Sequence, residues 1–146
     1  MKCEPVFFKD VFEHLHDLIK LDPDNADCSL LCDGMVIKNN IVYNKHTGKY
    51  LGYIDLGENI IVDDEDTEAT EALGFMLVSL RKSWKYPIGY VLVNKVNAAT
   101  LHSLLAEVFR LGLEHGTKIR NVTMDGTSVN FSAIRIFGCK LGNSLE

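Results

Sequence analysis

Apolar runs of strand length alternate with segments of helical spacing along the chain. Drawn as a strand, residues 28–37 are apolar on both faces, which is typical of a central strand that is covered on both sides. Residues 72–80 and 88–93 are two further apolar runs joined by a short turn, which predicts an antiparallel pair. Residues 119–124 predict another strand, and it ends next to an acidic residue.

Apolar side chains at helical spacing predict helices over residues 8–21, 97–115 and 128–137. The second helix connects two predicted strands and therefore suits a right-handed crossover. Such a crossover allows strand 119–124 to lie parallel beside strand 28–37. The sequence thus predicts an α/β fold with a mixed sheet.

Between the central strand and the apolar pair, the pattern predicts a hairpin. Its strands are residues 41–44 and 50–55, and Gly48 in the turn suits a positive φ angle. The acidic residues that follow, from Asp63 to Glu71, favour a solvated loop over a calcium or magnesium loop, because their spacing does not match an EF-hand.

Composition narrows the range of functions. The chain of 146 residues has a net charge of -5, so it has no global attraction to nucleic acid. A nucleic-acid role would need a local basic patch or a bound metal. The start of the chain does not resemble a signal peptide, and no apolar run reaches membrane-spanning length. We therefore expect a nuclear or cytoplasmic protein that is neither secreted nor bound to a membrane.

The four cysteines do not have zinc-finger spacing. They stand at positions 3, 28, 32 and 139. Cys28 and Cys32 share a face of one predicted strand but are about 13 Å apart at strand rise. We expect reduced thiols, with small apolar roles for Cys28, Cys32 and Cys139.

Two aspartates carry the candidate chemistry. Asp33 and Asp125 each follow an apolar strand and precede a glycine. If their strands are parallel neighbours, the two backbones lie about 5 Å apart. Carboxylates at that distance repel unless a proton or a divalent ion lies between them, and magnesium prefers oxygen ligands. The pattern alone fits a turn or a helix cap equally well.

A basic, aromatic segment is the candidate nucleic-acid contact. Arg81, Lys82, Trp84 and Lys85 interleave cations with an aromatic ring, which suits contact with DNA phosphates and stacking on bases. The alternative is a surface turn in which Trp84 packs on the core.

Three blocks of the sequence together resemble the RNase H-like domain of P-element-type transposases, including their THAP-domain relatives. They are LLCDGMVIKNNIVYNKHTGKYLGYIDLG (30–57), EALGFMLVSLRKSWKYPIGYVL (71–92) and VTMDGTSVNFSAIRIFGCKL (122–141). The resemblance implies a five-stranded mixed sheet of strand order 3-2-1-4-5. It also implies that Asp33 and Asp125 bind catalytic Mg²⁺ or Mn²⁺, and that DNA is the partner.

The chain also departs from that family. Its members complete the site with a glutamate on a helix after a fifth strand, and this chain stops before both. We therefore expect residues 1–27 to form an amino-terminal helix and link. Residues 28–146 then form a partial RNase H-like transposase domain that is truncated before the fifth strand. It consists of three antiparallel strands, a crossover helix, a parallel fourth strand and a helix.

Three functions follow from that interpretation. The first is a fragment of a DDE-type nuclease and strand transferase that is inactive alone and acts with the remainder of a transposase or as a homo-oligomer. The second is a domesticated DNA- or protein-binding module. The third is a nuclease complete within this chain, which takes its third acid from residues 63–71 or from Glu107.

Overall fold

The computed structural model describes residues 6–57 and 67–138. Seven strands and three α-helices are found there, and a short 3₁₀ turn at Pro23–Asn25 leads from the first helix into the central strand. The strands are β1 Val6–Phe7, β2 Asp27–Val36, β3 Val42–Asn44, β4 Lys49–Leu51, β5 Glu71–Ser79, β6 Lys85–Val93 and β7 Lys118–Thr123. The helices are α1 Lys9–Leu21, α2 Ala98–Glu114 and α3 Ser128–Ile136.

Five strands form one mixed sheet in the order β1-β6-β5-β2-β7. β2 pairs antiparallel with β5 and parallel with β7, and α2 supplies the connection that the parallel pair requires. The predicted parallel neighbours are confirmed. Four of the strands, β2, β5, β6 and β7, follow the order 3-2-1-4 that the resemblance implies.

A single hydrophobic core links the amino-terminal helix to the sheet. Phe12 of α1, Leu30 of β2 and Leu104 of α2 belong to one cluster of buried side chains, and each is 0% exposed. In addition, β1 pairs with β6 at the edge of the sheet. The described parts of the segments 1–27 and 28–146 that the sequence distinguishes therefore share one core.

The structure differs from the sequence prediction in three local features. Strand β1 has two residues, too few to show a periodic pattern. Strand β6 begins at Lys85 rather than at residue 88, so the turn before it is shorter than predicted. The predicted hairpin is present as β3 and β4, but it forms its own two-stranded sheet.

Part of the predicted acidic loop, residues 63–66, lies outside the described residues, as do Cys3 and Cys139. Cys28 and Cys32 are free and buried, as predicted. Burial is the main cause that raises the pKa of the Cys28 thiol to about 11 and that of Cys32 to about 12. Within the described ranges, none of the helices has both the length and the apolar character that crossing a bilayer requires.

Candidate functional site

The parallel pairing of β2 with β7 brings Asp33 and Asp125 to the same end of the sheet. Leu31 and Thr123 are the last residues paired between these strands, and each aspartate lies two residues further on. Because strands in a parallel pair advance at the same rate, the two aspartates emerge side by side beyond that last pair. The predicted neighbourhood of Asp33 and Asp125 is therefore present.

Both aspartates line one cleft of about 360 Å³. The backbone N–H of Gly34 donates a hydrogen bond to Oδ1 of Asp33 at 2.9 Å, and the side-chain amide of Asn130 donates to the backbone carbonyl of Asp125 at 2.7 Å. The hydroxyl of Thr127 caps α3 by accepting from the backbone N–H of Asn130. Helix α3 thus fixes the loop that carries Asp125.

Glu71 is a third acidic residue on the cleft. It begins β5, and its carboxylate lies over Gly34, since a methyl group at Gly34 would come within 1.6 Å of its Oε1. The charges of Asp33 and Glu71 add to burial in raising the pKa of Cys32. Glu71 belongs to the range 63–71 from which the sequence drew a candidate third acid, but its place on the cleft depends on the register of β5 against β2, which cannot be seen in one sequence.

The donor set at this cleft suits a hard divalent ion. Asp33 and Asp125 are exposed and offer carboxylate oxygens, whereas the Cys32 thiol stays protonated and is a poor ligand. Over residues 6–57 and 67–138, no three histidine, cysteine or acidic side chains converge closely enough to hold one ion. Magnesium is commonly held by one or two carboxylates together with water or phosphate oxygens, so the two aspartates fit it.

Glu107, the alternative third acid, is already hydrogen-bonded to another side chain of α2. Both of its carboxylate oxygens accept hydrogen bonds from the guanidinium of Arg110, at 2.6 and 2.9 Å, and its side chain is only 15% exposed. The guanidinium of Arg110 therefore covers this carboxylate. It does not line the cleft of Asp33 and Asp125.

The predicted nucleic-acid residues lie at the other end of the sheet. Ser79, the last residue of β5, is paired with Cys28, so the turn that carries Arg81 and Lys82 lies near the start of β2. Asp27 and Asp33 are six residues apart on β2, which corresponds to roughly 20 Å. This segment is therefore not adjacent to the cleft.

Ion pairs neutralise two of those cations. Nε of Arg81 donates to Oδ2 of Asp27 at 2.9 Å, and Nζ of Lys82 lies 2.7 Å from Oδ2 of Asp22. Nε of Arg120, from β7, donates to the other oxygen of Asp27 at 2.6 Å. Asp27 therefore joins the turn after β5 to the edge strand β7.

Trp84 has the structural role that the sequence left open. Its ring packs against the core and stacks on Tyr86, with ring centroids 5.6 Å apart. Lys85, beside it, is exposed at the start of β6. The DNA-contact role of the four residues Arg81, Lys82, Trp84 and Lys85 stays a prediction.

Lys95 is a residue of the cleft that the sequence did not single out. It lies between β6 and α2 and has a φ angle of 54°, the one positive φ among the described residues other than glycine. Strained backbone of this kind is enriched at functional sites. Its ammonium group would suit a phosphate near the two aspartates, and no signal in one sequence distinguishes it from other surface lysines.

A second, mostly apolar groove of about 560 Å³ follows β7. Strand β7 has β2 as its neighbour on one side, and its other edge is unpaired within the described part of the chain. The groove is lined by β7 together with Phe109 of α2 and Phe131 and Ile134 of α3. An unpaired edge beside apolar side chains is a natural place for a further strand to add.

The comparisons with known proteins agree with this fold. The family model described as "TNP-like, RNase H N-terminal domain" matches residues 3–138. The human protein named DNA transposase THAP9 is 26% identical over 144 residues, which is 94% of this chain but 16% of that protein. The chain therefore spans about a sixth of the length of this curated relative.

A solved structure supports the fold independently. The Drosophila P element transposase strand transfer complex contains a chain that superposes with a TM-score of 0.57 at 19% identity. The match covers 85% of this chain and 24% of the other. The mixed sheet with its parallel β2–β7 pair is accordingly an RNase H-like sheet, and the chain belongs to the family of TNP-like RNase H amino-terminal domains.

Proposed function

We propose that this chain is the amino-terminal part of the RNase H-like catalytic domain of a P-element-type DNA transposase, in which Asp33 and Asp125 hold Mg²⁺ or Mn²⁺. The observation that carries the proposal is the convergence of these two exposed carboxylates on one cleft, just beyond the last residues that pair between the parallel strands. The transposases among its relatives add weight to it. DNA is the proposed substrate, and the nucleus is the proposed compartment.

The chemistry that the ion would supply is phosphoryl transfer. A divalent ion held here would activate a water or a 3′-hydroxyl group and stabilise the leaving oxygen. The chain itself contributes two negatively charged ligands, a backbone N–H that orients Asp33, and Lys95 on the wall of the cleft. Although Glu71 also lines the cleft, no three acidic side chains of the described residues converge closely enough to hold one ion, so we propose that the chain does not cleave DNA alone.

Titration calorimetry with MnCl₂ tests the metal site. We expect the wild-type chain to bind the ion, and Asp33→Asn and Asp125→Asn each to weaken binding roughly tenfold or more, because affinity follows the number of charged ligands. Asp10→Asn is the matched control, since it removes an exposed carboxylate from the first turn of α1. Equal affinity in all four proteins would contradict the proposal.

A cleavage assay tests the proposed lack of independent activity. The chain is incubated with duplex DNA and MnCl₂, and nicked products are separated on a denaturing gel. We expect no turnover. Robust cleavage that disappears in Asp33→Asn would instead show a complete nuclease in this chain.

The second candidate is a binding module without catalysis that uses the free edge of β7. The specific observation for it is the apolar groove beside that edge, where Phe131 is 45% exposed. Sedimentation of the wild type and of Phe131→Glu tests self-association through this edge. A wild-type dimer that the substitution dissociates favours the module, and a wild-type monomer argues against self-pairing.

A further inference from the structure

The β3–β4 hairpin presents two tyrosines to solvent. Tyr43 and Tyr50 are directly opposite each other in the hairpin, and their ring centroids are 5.1 Å apart at an interplanar angle of 53°. Tyr43 is 50% exposed and Tyr50 is 65% exposed. Packing in the core therefore does not account for this aromatic pair.

The same hairpin is locally basic in an acidic chain. No aspartate or glutamate stands between Gly34 and Ile54, whereas Lys38, Lys45 and Lys49 do. All three lysines are exposed, and none forms an ion pair with an acid in the described residues. A local positive potential is the attraction for phosphate that the net charge does not supply.

The hairpin is held in a defined shape. The backbone N–H of Gly48 donates to the carbonyl of Asn44 at 2.9 Å, and the side chain of Asn44 accepts from the N–H of His46 at 3.0 Å. At the base, Gly52 has a φ angle of 111°, and a methyl group there would lie 2.1 Å from the carbonyl oxygen of Asn40. This close approach requires glycine and fixes where the hairpin leaves the sheet.

The base of the hairpin lies at the same end of the sheet as the aspartate cleft. The N–H of Ile37 donates to the carbonyl of Thr70, and the N–H of Ala69 donates to the carbonyl of Gly52. Thr70 directly precedes Glu71, which lines the cleft. Backbone hydrogen bonds thus join the base of the hairpin to the segment that leads into the cleft.

We propose that the β3–β4 hairpin binds single-stranded DNA, with the rings of Tyr43 and Tyr50 stacking on unpaired bases and Lys45 and Lys49 contacting the adjoining phosphates. This inference rests on the proposed function and names the form of DNA that its cleft receives. Stacking requires base faces that are not already covered in a duplex, so the exposed ring pair favours a single strand. The lysines supply the contacts that do not depend on sequence.

Fluorescence anisotropy with a labelled oligothymidine of about 12 nucleotides tests the proposal. The full chain is titrated in EDTA, so that the metal site makes no contribution. We expect Tyr43→Ala/Tyr50→Ala to weaken binding at least about tenfold, because each stacked base contributes measurably. Tyr43→Phe/Tyr50→Phe keeps both rings and is expected to bind like the wild type.

A charge test does not depend on the tyrosines. Lys45→Ala/Lys49→Ala is expected to weaken binding and to reduce the slope of log affinity against log salt by about 1.4, as for two lost phosphate contacts on a single strand. The matched control is Lys9→Ala/Lys20→Ala, which removes the same charge from α1. Circular dichroism and thermal unfolding confirm that each variant is folded.

Three results would overturn the hairpin proposal: no binding by the wild type, binding of duplex but not of oligothymidine, or equal binding by the wild type and the two alanine double variants, Tyr43→Ala/Tyr50→Ala and Lys45→Ala/Lys49→Ala. Its failure is separable from failure of the proposed function. If only the hairpin proposal is wrong, oligothymidine binding fails its tests, whereas calorimetry still shows manganese binding by the wild type that Asp33→Asn weakens. Asp33→Asn is expected to retain oligothymidine binding in EDTA.

Discussion

Strand β2 carries one aspartate at its start and one towards its other end, and their surroundings are opposite. At the start of the strand, Asp27 accepts hydrogen bonds from Arg81 and Arg120, which come from a turn and a strand far apart in sequence. At the other end, neither Asp33 nor the neighbouring Asp125 forms an ion pair in the described residues. Asp27 therefore stabilises the fold through contacts within the chain, and Asp33 is available to bind a ligand.

The same contrast applies to the basic residues. Arg81 and Lys82 near Asp27 are matched by acidic partners, and Trp84 packs on the core. Lys45 and Lys49 on the hairpin are not matched among the described residues, and its two tyrosines are exposed. A basic, aromatic sequence therefore does not by itself indicate a binding surface. What matters is whether other residues of the fold already pair with its charges and cover its aromatic ring.

Truncation of a core side chain of β2 between Asp27 and Asp33 should have the largest effect on stability. Leu30 lies in β2 between the two aspartates and is 0% exposed. Leu30→Ala is expected to lower the free energy of unfolding by about 2–5 kcal/mol. Denaturant unfolding measures it, and Leu21→Ala is the control, because Leu21 is 83% exposed. Similar losses in the two variants would show that β2 is not a core strand.

Replacement of each of these two aspartates in turn should separate metal binding from folding. At a Mg²⁺ concentration of about 100 Kd, the wild type gains about 2.7 kcal/mol from ligand binding. We expect Asp27→Asn to keep this gain and Asp33→Asn to lose most of it. Thermal unfolding with and without MgCl₂ measures the gain. A variant at Asp27 that loses the gain would remove the distinction between the two ends.

The ion pairs of Asp27 predict that the stability of the fold decreases in acid. The hydrogen bond from Arg120 is the main cause that holds the pKa of Asp27 below its usual value, with Arg81 contributing. A lowered pKa stabilises the fold above the unfolded value of about 3.9, and this stabilisation is lost as pH falls through the folded pKa. The wild type should therefore unfold at a higher temperature than Asp27→Asn at neutral pH, and the difference should narrow in acid. A difference independent of pH would contradict this role.

The smallest effect is expected where Glu71 covers Gly34. Gly34→Ala places a methyl group 1.6 Å from Oε1 of Glu71, so the flexible end of that side chain must move. We expect a loss of no more than about 1 kcal/mol, which Glu71→Ala in the same chain removes. Gly74→Ala is the control, because its methyl group would meet only the carbonyl oxygen of Asp33 at 3.8 Å. Additive effects of the two substitutions would show that Glu71 lies elsewhere.

Much of the sheet could be predicted because its signals are local. Apolar runs marked β2, β5, β6 and β7, and the helical spacing between β6 and β7 predicted their crossover. The convergence of Asp33 and Asp125 followed from that topology. Strand β1 was not predicted because two residues are too few to show a periodic pattern.

The parts that could not be predicted depend on pairing between distant residues. Asp27 and Arg120 are 93 positions apart, and no feature of either neighbourhood indicates the other. The place of Glu71 on the cleft depends on the register between β5 and β2. Exposure of the hairpin tyrosines likewise depends on the hairpin standing apart from the main sheet, which its alternating pattern does not reveal.

A crystal structure of the chain grown with MnCl₂, with data collected at the manganese absorption edge, tests the central claim most directly. The account predicts an anomalous peak between the carboxylates of Asp33 and Asp125, with ligand oxygens from both. An anomalous peak at another site only, or well-ordered carboxylates of Asp33 and Asp125 too far apart to share an ion, would contradict it.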